Sequence, residues 1–279
     1  MLLPALVLLA APGFAADVPV EITPDIVYGH KMGMALTMDL FQPKSNANGA
    51  AILFMVSGGW RSTWAEPETA VSRFRPLTDK GFKVFAVRHG SSPKFNIPEI
   101  VEDVRTAVRF VRMKAGAYGI DSNRLGVYGG SAGGHLSLML GTASDNGDPN
   151  AKDPVQRVSD RVAAVVAYFP PTDLRQWVSE DPNSNQSYPA LRFSPTKAGD
   201  YSPLLHVTPD DPPTLLIHGD KDTLVALSHS EKILAAFKEK SIPTELIVMK
   251  GAGHGFQGAD ATVAMNALVA WFEKYLAAK

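Results

Sequence analysis

Three polar groups, far apart in the chain, stand where acyl-transfer chemistry would need them. Ser131 is the centre of Gly129-Gly130-Ser131-Ala132-Gly133, between the apolar segment Arg124 to Tyr128 and a helical stretch over Gly134 to Gly141. A strand, a glycine-flanked turn and a helix form a nucleophile elbow, which lifts a serine hydroxyl out of a sheet. Glycines two residues either side are needed because bulkier side chains would clash within so tight a turn. A serine hydroxyl is a poor nucleophile until a base takes its proton, and that base needs a third group to orient it. His254 supplies a base within Gly251-Ala252-Gly253-His254-Gly255-Phe256, and Asp220 and Asp222 supply carboxylates after a segment ending at His218. The six other histidines are weaker candidates. His135 lies on the elbow helix and suits packing, and His218 suits a structural hydrogen bond at a strand end.

Attack on a carbonyl creates an oxyanion, which backbone N–H groups must meet. Ala132, next after the serine at the start of a helix, is placed to give one donor, with the helix dipole in support. The second should come from Ser57-Gly58-Gly59-Trp60, after an early apolar run, through Gly58 and Gly59. Trp60 suits a pocket wall and core packing equally.

These groups need a scaffold that gathers them at one edge. The chain alternates apolar β-type segments with helical patterns, which predicts an α/β fold with a mostly parallel central sheet flanked by helices. Met34 to Phe41 alternates and reads as a half-exposed strand. Further strands are expected over Ala50 to Val56, Lys83 to Arg88, Arg124 to Tyr128, Val162 to Phe169, Thr214 to His218 and Thr244 to Lys250. Helices are expected around Glu68 to Lys80, Ile97 to Lys114, Ser228 to Lys240 and Ala261 to Ala278. Residues 170–211, rich in Pro, Asn, Ser and Asp, read as an excursion over the carboxyl edge that covers a pocket. In open α/β sheets that edge is where sites form.

The length of 279 residues suits a single domain over residues 17–279. A formal net charge of −1 gives no electrostatic footprint for nucleic acid. Cysteine is absent, which removes disulfides, a cysteine nucleophile and a lipoprotein anchor. No histidine or carboxylate spacing resembles a metal-ligand set, and no cofactor is implied. Residues Met1 to Ala16 are apolar and rich in Leu and Ala, like the hydrophobic part of a secretory signal cleaved after Ala15 or Ala16. The expectation is a secreted or periplasmic protein without an integral membrane segment in its mature chain.

The order serine, acid, histidine is that of the α/β hydrolases. Over Val27 to Leu276 the chain resembles that superfamily, in particular bacterial carboxylesterases related to acetyl-xylan and feruloyl esterases and hormone-sensitive-lipase-like enzymes. The resemblance rests on Ser57 to Trp60, Tyr118-Gly119-Ile120-Asp121, Gly129 to His135, Asp211-Pro212-Pro213, His218 to Asp222 and Gly253-His254-Gly255. In the family pattern the acid lies three residues after the glycine of the His-Gly pair, which selects Asp222 and leaves Asp220 as a turn residue. Relatives commonly begin the oxyanion loop with His before Gly-Gly, where Ser57 stands here. The resemblance implies a cofactor-free serine carboxylesterase acting through an acyl-enzyme on short-acyl or aryl esters, including carbohydrate-linked ones. Amidase, arylformamidase or peptidase activity on the same fold is the runner-up, and a non-catalytic binding protein on this scaffold is the other class.

Overall fold

The computed structural model describes residues 20–278, so the expected signal segment Met1 to Ala16 lies outside the described residues. The strands are β1 (Val20–Lys31), β2 (Met34–Pro43), β3 (Ala51–Met55), β4 (Lys83–Val87), β5 (Leu125–Gly130), β6 (Ala164–Tyr168), β7 (Thr214–Gly219) and β8 (Thr244–Met249). The helices are α1 (Val71–Thr78), α2 (Ile97–Met113), α3 (Ala132–Thr142), α4 (Ser228–Glu239) and α5 (Gly258–Tyr275). All eight strands form one sheet in the order β1-β2-β4-β3-β5-β6-β7-β8. β2 runs antiparallel to β1 and β4, and the remaining pairs are parallel.

The central strands are short and apolar throughout because helices cover both faces. On one face, α1 and α5 bury Phe74, Leu77, Leu268 and Phe272 against the sheet. On the other, α2, α3 and α4 bury Ile100, Val104, Leu136, Leu138, Ile233 and Phe237. Each such side chain contributes roughly 1.5–3 kcal/mol through removal from water. The start of α2 is set by a capping box. The Asn96 side chain accepts from the Glu99 N–H, and the Glu99 carboxylate accepts from the Asn96 N–H.

Some expectations shift. β2 is not half-exposed, because β1 pairs along its outer edge and residues Met38 to Phe41 are all buried. The alternation there includes Asp39, which is buried because Arg88 from the end of β4 pairs with it. The β1 strand was not distinguished in the sequence, since most of its side chains are exposed at the edge and it lacks an apolar run. The helix expected around Glu68 to Lys80 divides into a 3-10 turn, Pro67–Ala70, and α1. α3 begins at Ala132 rather than Gly134, directly after the serine. α5 begins at Gly258 rather than Ala261 and ends at Tyr275.

Residues 170–211 hold four 3-10 turns, Pro189–Leu191, Pro195–Lys197, Gly199–Tyr201 and Pro203–Leu205. They are not a loose loop. Leu174, Ala190, Leu191, Phe193 and Ala198 are buried in the same core as α2 and α3, which fixes the excursion to the carboxyl edge. Among the described residues no helix is long and apolar enough to cross a membrane.

Candidate active site

The elbow is tight enough to dictate its own sequence. A Cβ on Gly129 would lie 2.5 Å from the Gly133 carbonyl carbon, so the strand and helix can approach this closely only with glycine there. Between them Ser131 adopts φ 55° and ψ −119°, a conformation that L-residues rarely occupy. Its N–H donates to the Tyr168 carbonyl at 2.9 Å, which anchors the turn to the end of β6.

The loop after β7 carries Asp222 and the loop after β8 carries His254. They meet because Gly219 has no side chain. A Cβ there would sit 2.2 Å from the Ala252 carbonyl oxygen. Asp222 Oδ1 accepts from the Leu224 and Val225 N–H groups, both at 2.9 Å, leaving Oδ2 to lie 2.7 Å from His254 Nδ1. Burial opposes the Asp222 charge, but the Val225 amide, the His254 ring and the Leu224 amide together hold its carboxyl below the usual range. His254 Nε2 lies 2.8 Å from Ser131 Oγ. The edge of the His254 ring stands against Phe169 with centroids 4.6 Å apart. Asp222, His254 and Ser131 therefore form one continuous relay across three loops. Asp220 is not in it; its Oδ1 accepts from the Gly251 N–H at 2.6 Å and ties the two loops together.

His218 is buried beside this relay, 3.3 Å from Asp222 Oδ2. Its Nε2 donates to the Val225 carbonyl at 2.8 Å and its Nδ1 accepts from the Ser230 hydroxyl at 2.8 Å. Burial lowers its pKa, so the ring is neutral and positions the loop that presents Asp222.

The loop after β3 departs from expectation at one residue. Gly58 was expected to offer an oxyanion donor, but its N–H donates to the Arg61 carbonyl at 3.0 Å, and the Arg61 N–H returns the bond at 3.0 Å. That reciprocal pair closes a tight turn and consumes the Gly58 N–H. Gly59, at φ 57°, has no hydrogen-bond partner for its N–H among the described residues. The Ala132 N–H lies in the first turn of α3, where no intrahelical acceptor exists. Gly59 and Ala132 are thus the two expected donors that remain open.

Trp60, at φ 56°, fills both roles left open for it. It is only 3% exposed, yet it lines the cavity above Ser131. Its indole N–H donates to His135 Nδ1 at 3.3 Å, and His135 Nε2 donates to the Tyr201 carbonyl at 2.8 Å. Burial pushes the His135 pKa down to about 4, consistent with a neutral ring that accepts on one nitrogen and donates on the other. With the Ser92 N–H donating to the Trp60 carbonyl at 3.1 Å, these bonds anchor the loop that begins at Ser57. The Ser57 hydroxyl itself is buried without a partner among the described residues.

The cavity above Ser131 is about 300 Å³ and mostly apolar, walled by Trp60, Trp177, Tyr188, Leu191 and Leu224. Trp177, Tyr188 and Leu191 come from the excursion and were not singled out in the sequence. The signal for them was a set of aromatic rings, Trp177, Tyr188, Phe193 and Tyr201, within a proline-rich stretch. Arg88 and Asp103 carry structure: Arg88 pairs with Asp39 and Asp25, and Asp103 accepts from the Gly90 N–H and pairs with Lys31. Among the described residues no cluster of three or more histidines and carboxylates is placed to hold a metal ion.

Comparison with known proteins agrees with this architecture. The chain is 27% identical over 228 residues to LipM of Mycobacterium tuberculosis, a probable carboxylic ester hydrolase, covering 78% of this chain and 52% of the relative. The M. tuberculosis esterase LipC is 28% identical over 76% of this chain and 54% of its own. The chain thus spans about half the length of these curated relatives. Among solved structures, a truncated carbohydrate esterase from gut microbiota superposes with a TM-score of 0.77 at 26% identity, covering 95% of this chain and 99% of that one. Esterase 2 of Thermogutta terrifontis, phosphoramylated by tabun, shares the fold with a TM-score of 0.75 at 22% identity, covering 97% and 100%. The BD-FAE family matches residues 38–237, a span that includes the elbow, the oxyanion loop and the acid, and the chain belongs to that family of α/β-hydrolase esterases.

Proposed function

We propose that this chain is a serine carboxylesterase that cleaves short-acyl or aryl esters, including carbohydrate-linked ones, through an acyl-enzyme. The observation that carries the reading is the relay of 2.7 and 2.8 Å from Asp222 through His254 to Ser131, opening directly onto an apolar cavity. Ser131 Oγ attacks the acyl carbon while His254 Nε2 takes the hydroxyl proton. Asp222 holds His254 in the tautomer that can accept it and stabilises the imidazolium that forms. The oxyanion is met by the Gly59 and Ala132 N–H groups. His254 then gives its proton to the departing alcohol oxygen as the acyl carbon–oxygen bond breaks. Water repeats the attack on the acyl-enzyme with His254 as base, and release of the acid restores Ser131.

The aromatic walls of the cavity suit a small or planar acyl group, and the kinship with a carbohydrate esterase supports a sugar-linked ester. The composition of residues 1–16 supports export to the periplasm or medium, which N-terminal sequencing of the mature protein tests. The test of activity is hydrolysis of p-nitrophenyl acetate by wild type and Ser131→Ala, followed by acetylated and feruloylated sugars. Turnover lost in the variant supports the reading. A folded wild type that cleaves p-nitroacetanilide but no ester would make it an amidase.

A further inference from the structure

Ser131 opens onto a second cavity of about 390 Å³ on the other side of the elbow. The first cavity takes in Gly59 and Trp60 of the oxyanion loop but not His254, whereas the second takes in His254 but neither Gly59 nor Trp60. His254 must return its proton to the leaving oxygen, so the alcohol departs on the side that His254 faces. The first cavity is then the acyl side and the second the alcohol side.

Three residues that line the second cavity carry polar groups without a part in the chemistry above. Tyr128 is 2% exposed and its hydroxyl has no hydrogen-bond partner among the described residues. Ser57 Oγ is also buried and unpartnered. Buried hydroxyls left unbonded are costly and uncommon in native proteins. Arg73, on α1, lays its guanidinium over the Phe54 ring at 5.4 Å and makes no ion pair among the described residues. The Tyr128 hydroxyl is raised by burial and pulled back by the Arg73 charge, so the two groups share one field. Arg73, Ser57 and Phe54 also border the adjoining cavity that runs toward Asp39, so the guanidinium stands at a junction open to ligand.

We propose that Arg73, with the Ser57 and Tyr128 hydroxyls, forms a subsite for a carboxylate carried on the alcohol part of the ester. This deepens the esterase reading and rests on it. A planar guanidinium pairs with a carboxylate through two parallel bonds, and hydroxyl donors satisfy the remaining lone pairs. One unpaired cation matches one anionic charge. The substrate class is therefore esters of hydroxylated acids, such as sugar acids, rather than of neutral alcohols alone.

The test compares kcat/KM for meta-acetoxybenzoate and for its methyl ester, which differ in charge on the alcohol part. Wild type, Arg73→Gln and Arg73→Lys are measured at low and high salt, with thermal melts confirming each fold. Because Arg73 is exposed to solvent, the expected wild-type preference for the acid is about fivefold at low salt. That ratio falls to about one in Arg73→Gln or at high salt, and Arg73→Lys keeps part of it. A second pair, mono-p-nitrophenyl succinate and p-nitrophenyl butyrate, places the charge on the acyl part and should show no dependence on Arg73. A ratio near one in wild type, unchanged by Arg73→Gln, overturns the subsite while leaving the esterase intact. An Arg73-dependent preference confined to the acyl pair overturns the assignment of sides. No turnover of any ester by a folded wild type removes the esterase reading itself, and the subsite with it.

Discussion

Trp60 and His135 meet edge to face, with ring centroids 5.5 Å apart and the indole N–H 3.3 Å from His135 Nδ1. The contact joins the oxyanion loop to the elbow helix. The far nitrogen of the same imidazole holds the Tyr201 carbonyl, so one buried ring ties together the loop, the nucleophile's helix and the excursion. In His135→Phe, the Trp60 N–H and Tyr201 carbonyl lose their partner while an aromatic ring is kept. The expected cost is about 1–3 kcal/mol of stability for each group left unbonded. Urea unfolding measures it, and kcat for p-nitrophenyl acetate should fall with it as the Gly59 donor loses its setting.

Ser131→Ala removes the nucleophile without touching the fold. Esterase turnover is expected to drop by about ten-thousandfold or more, since the relay acts as a unit. A drop of less than tenfold, in a variant with an unchanged melting temperature, would move the chemistry elsewhere.

Asp222→Asn is close to isosteric, and its expected effect follows from orientation. Two amides, Leu224 and Val225, donate to Oδ1, so the new amide nitrogen is driven to the Oδ2 position facing His254 Nδ1. His254 then presents the wrong tautomer to Ser131, and kcat should fall by about ten-thousandfold. The far smaller effect expected of Asp220→Asn, which touches only the Gly251 N–H, is the control.

Gly219→Ala tests whether the loops bearing Asp222 and His254 need their close approach. The added methyl group would meet the Ala252 carbonyl at 2.2 Å, so the loop bearing His254 must move away from the loop bearing Asp222. Overpacking of this kind costs about 1–3 kcal/mol. Activity should fall further than stability, because the Asp222–His254 bond lies across the displaced contact.

Acid should weaken the fold in a specific window. Burial lowers His89 and His135 from the ordinary histidine value of 6.5 to about 4. Between those values the unfolded chain binds protons that the folded chain refuses. Their contribution is therefore fully present above pH 6.5 and is lost as the pH falls toward 4. From pH 7.5 to 5 each ring should cost on the order of 2 kcal/mol. Urea unfolding at the two pH values measures this, and His89→Leu should flatten the dependence by its share.

Local patterns carried the elements and the order of the chemistry. Short apolar runs bounded by turns announced the buried strands, because strands covered on both faces have no polar positions to reveal alternation. The glycines around Ser131 marked the elbow because the geometry of that turn excludes any side chain. Where a segment's environment comes from partners distant in sequence, the local pattern misled. β2 alternates like a half-exposed strand, but Arg88, 49 residues away, neutralises Asp39 and lets the strand be covered.

Ser131 and His254 were legible from their types and their positions after strands, whereas Asp222 was told from Asp220 only through the family pattern that the chain resembles. Tertiary structure alone decided which backbone N–H is free. Gly58 and Gly59 are equivalent in sequence, but the turn closed with Arg61 consumes one and leaves the other. It also decided that Trp60 is held by His135, that Trp177 and Tyr188 wall the cavity above Ser131, and that Arg73 comes to the second cavity. Sequence specifies which groups a chain possesses and the local turns that present them. Their satisfaction by hydrogen bonds, and hence what remains open to a substrate, is settled only when residues far apart compete for the same partners.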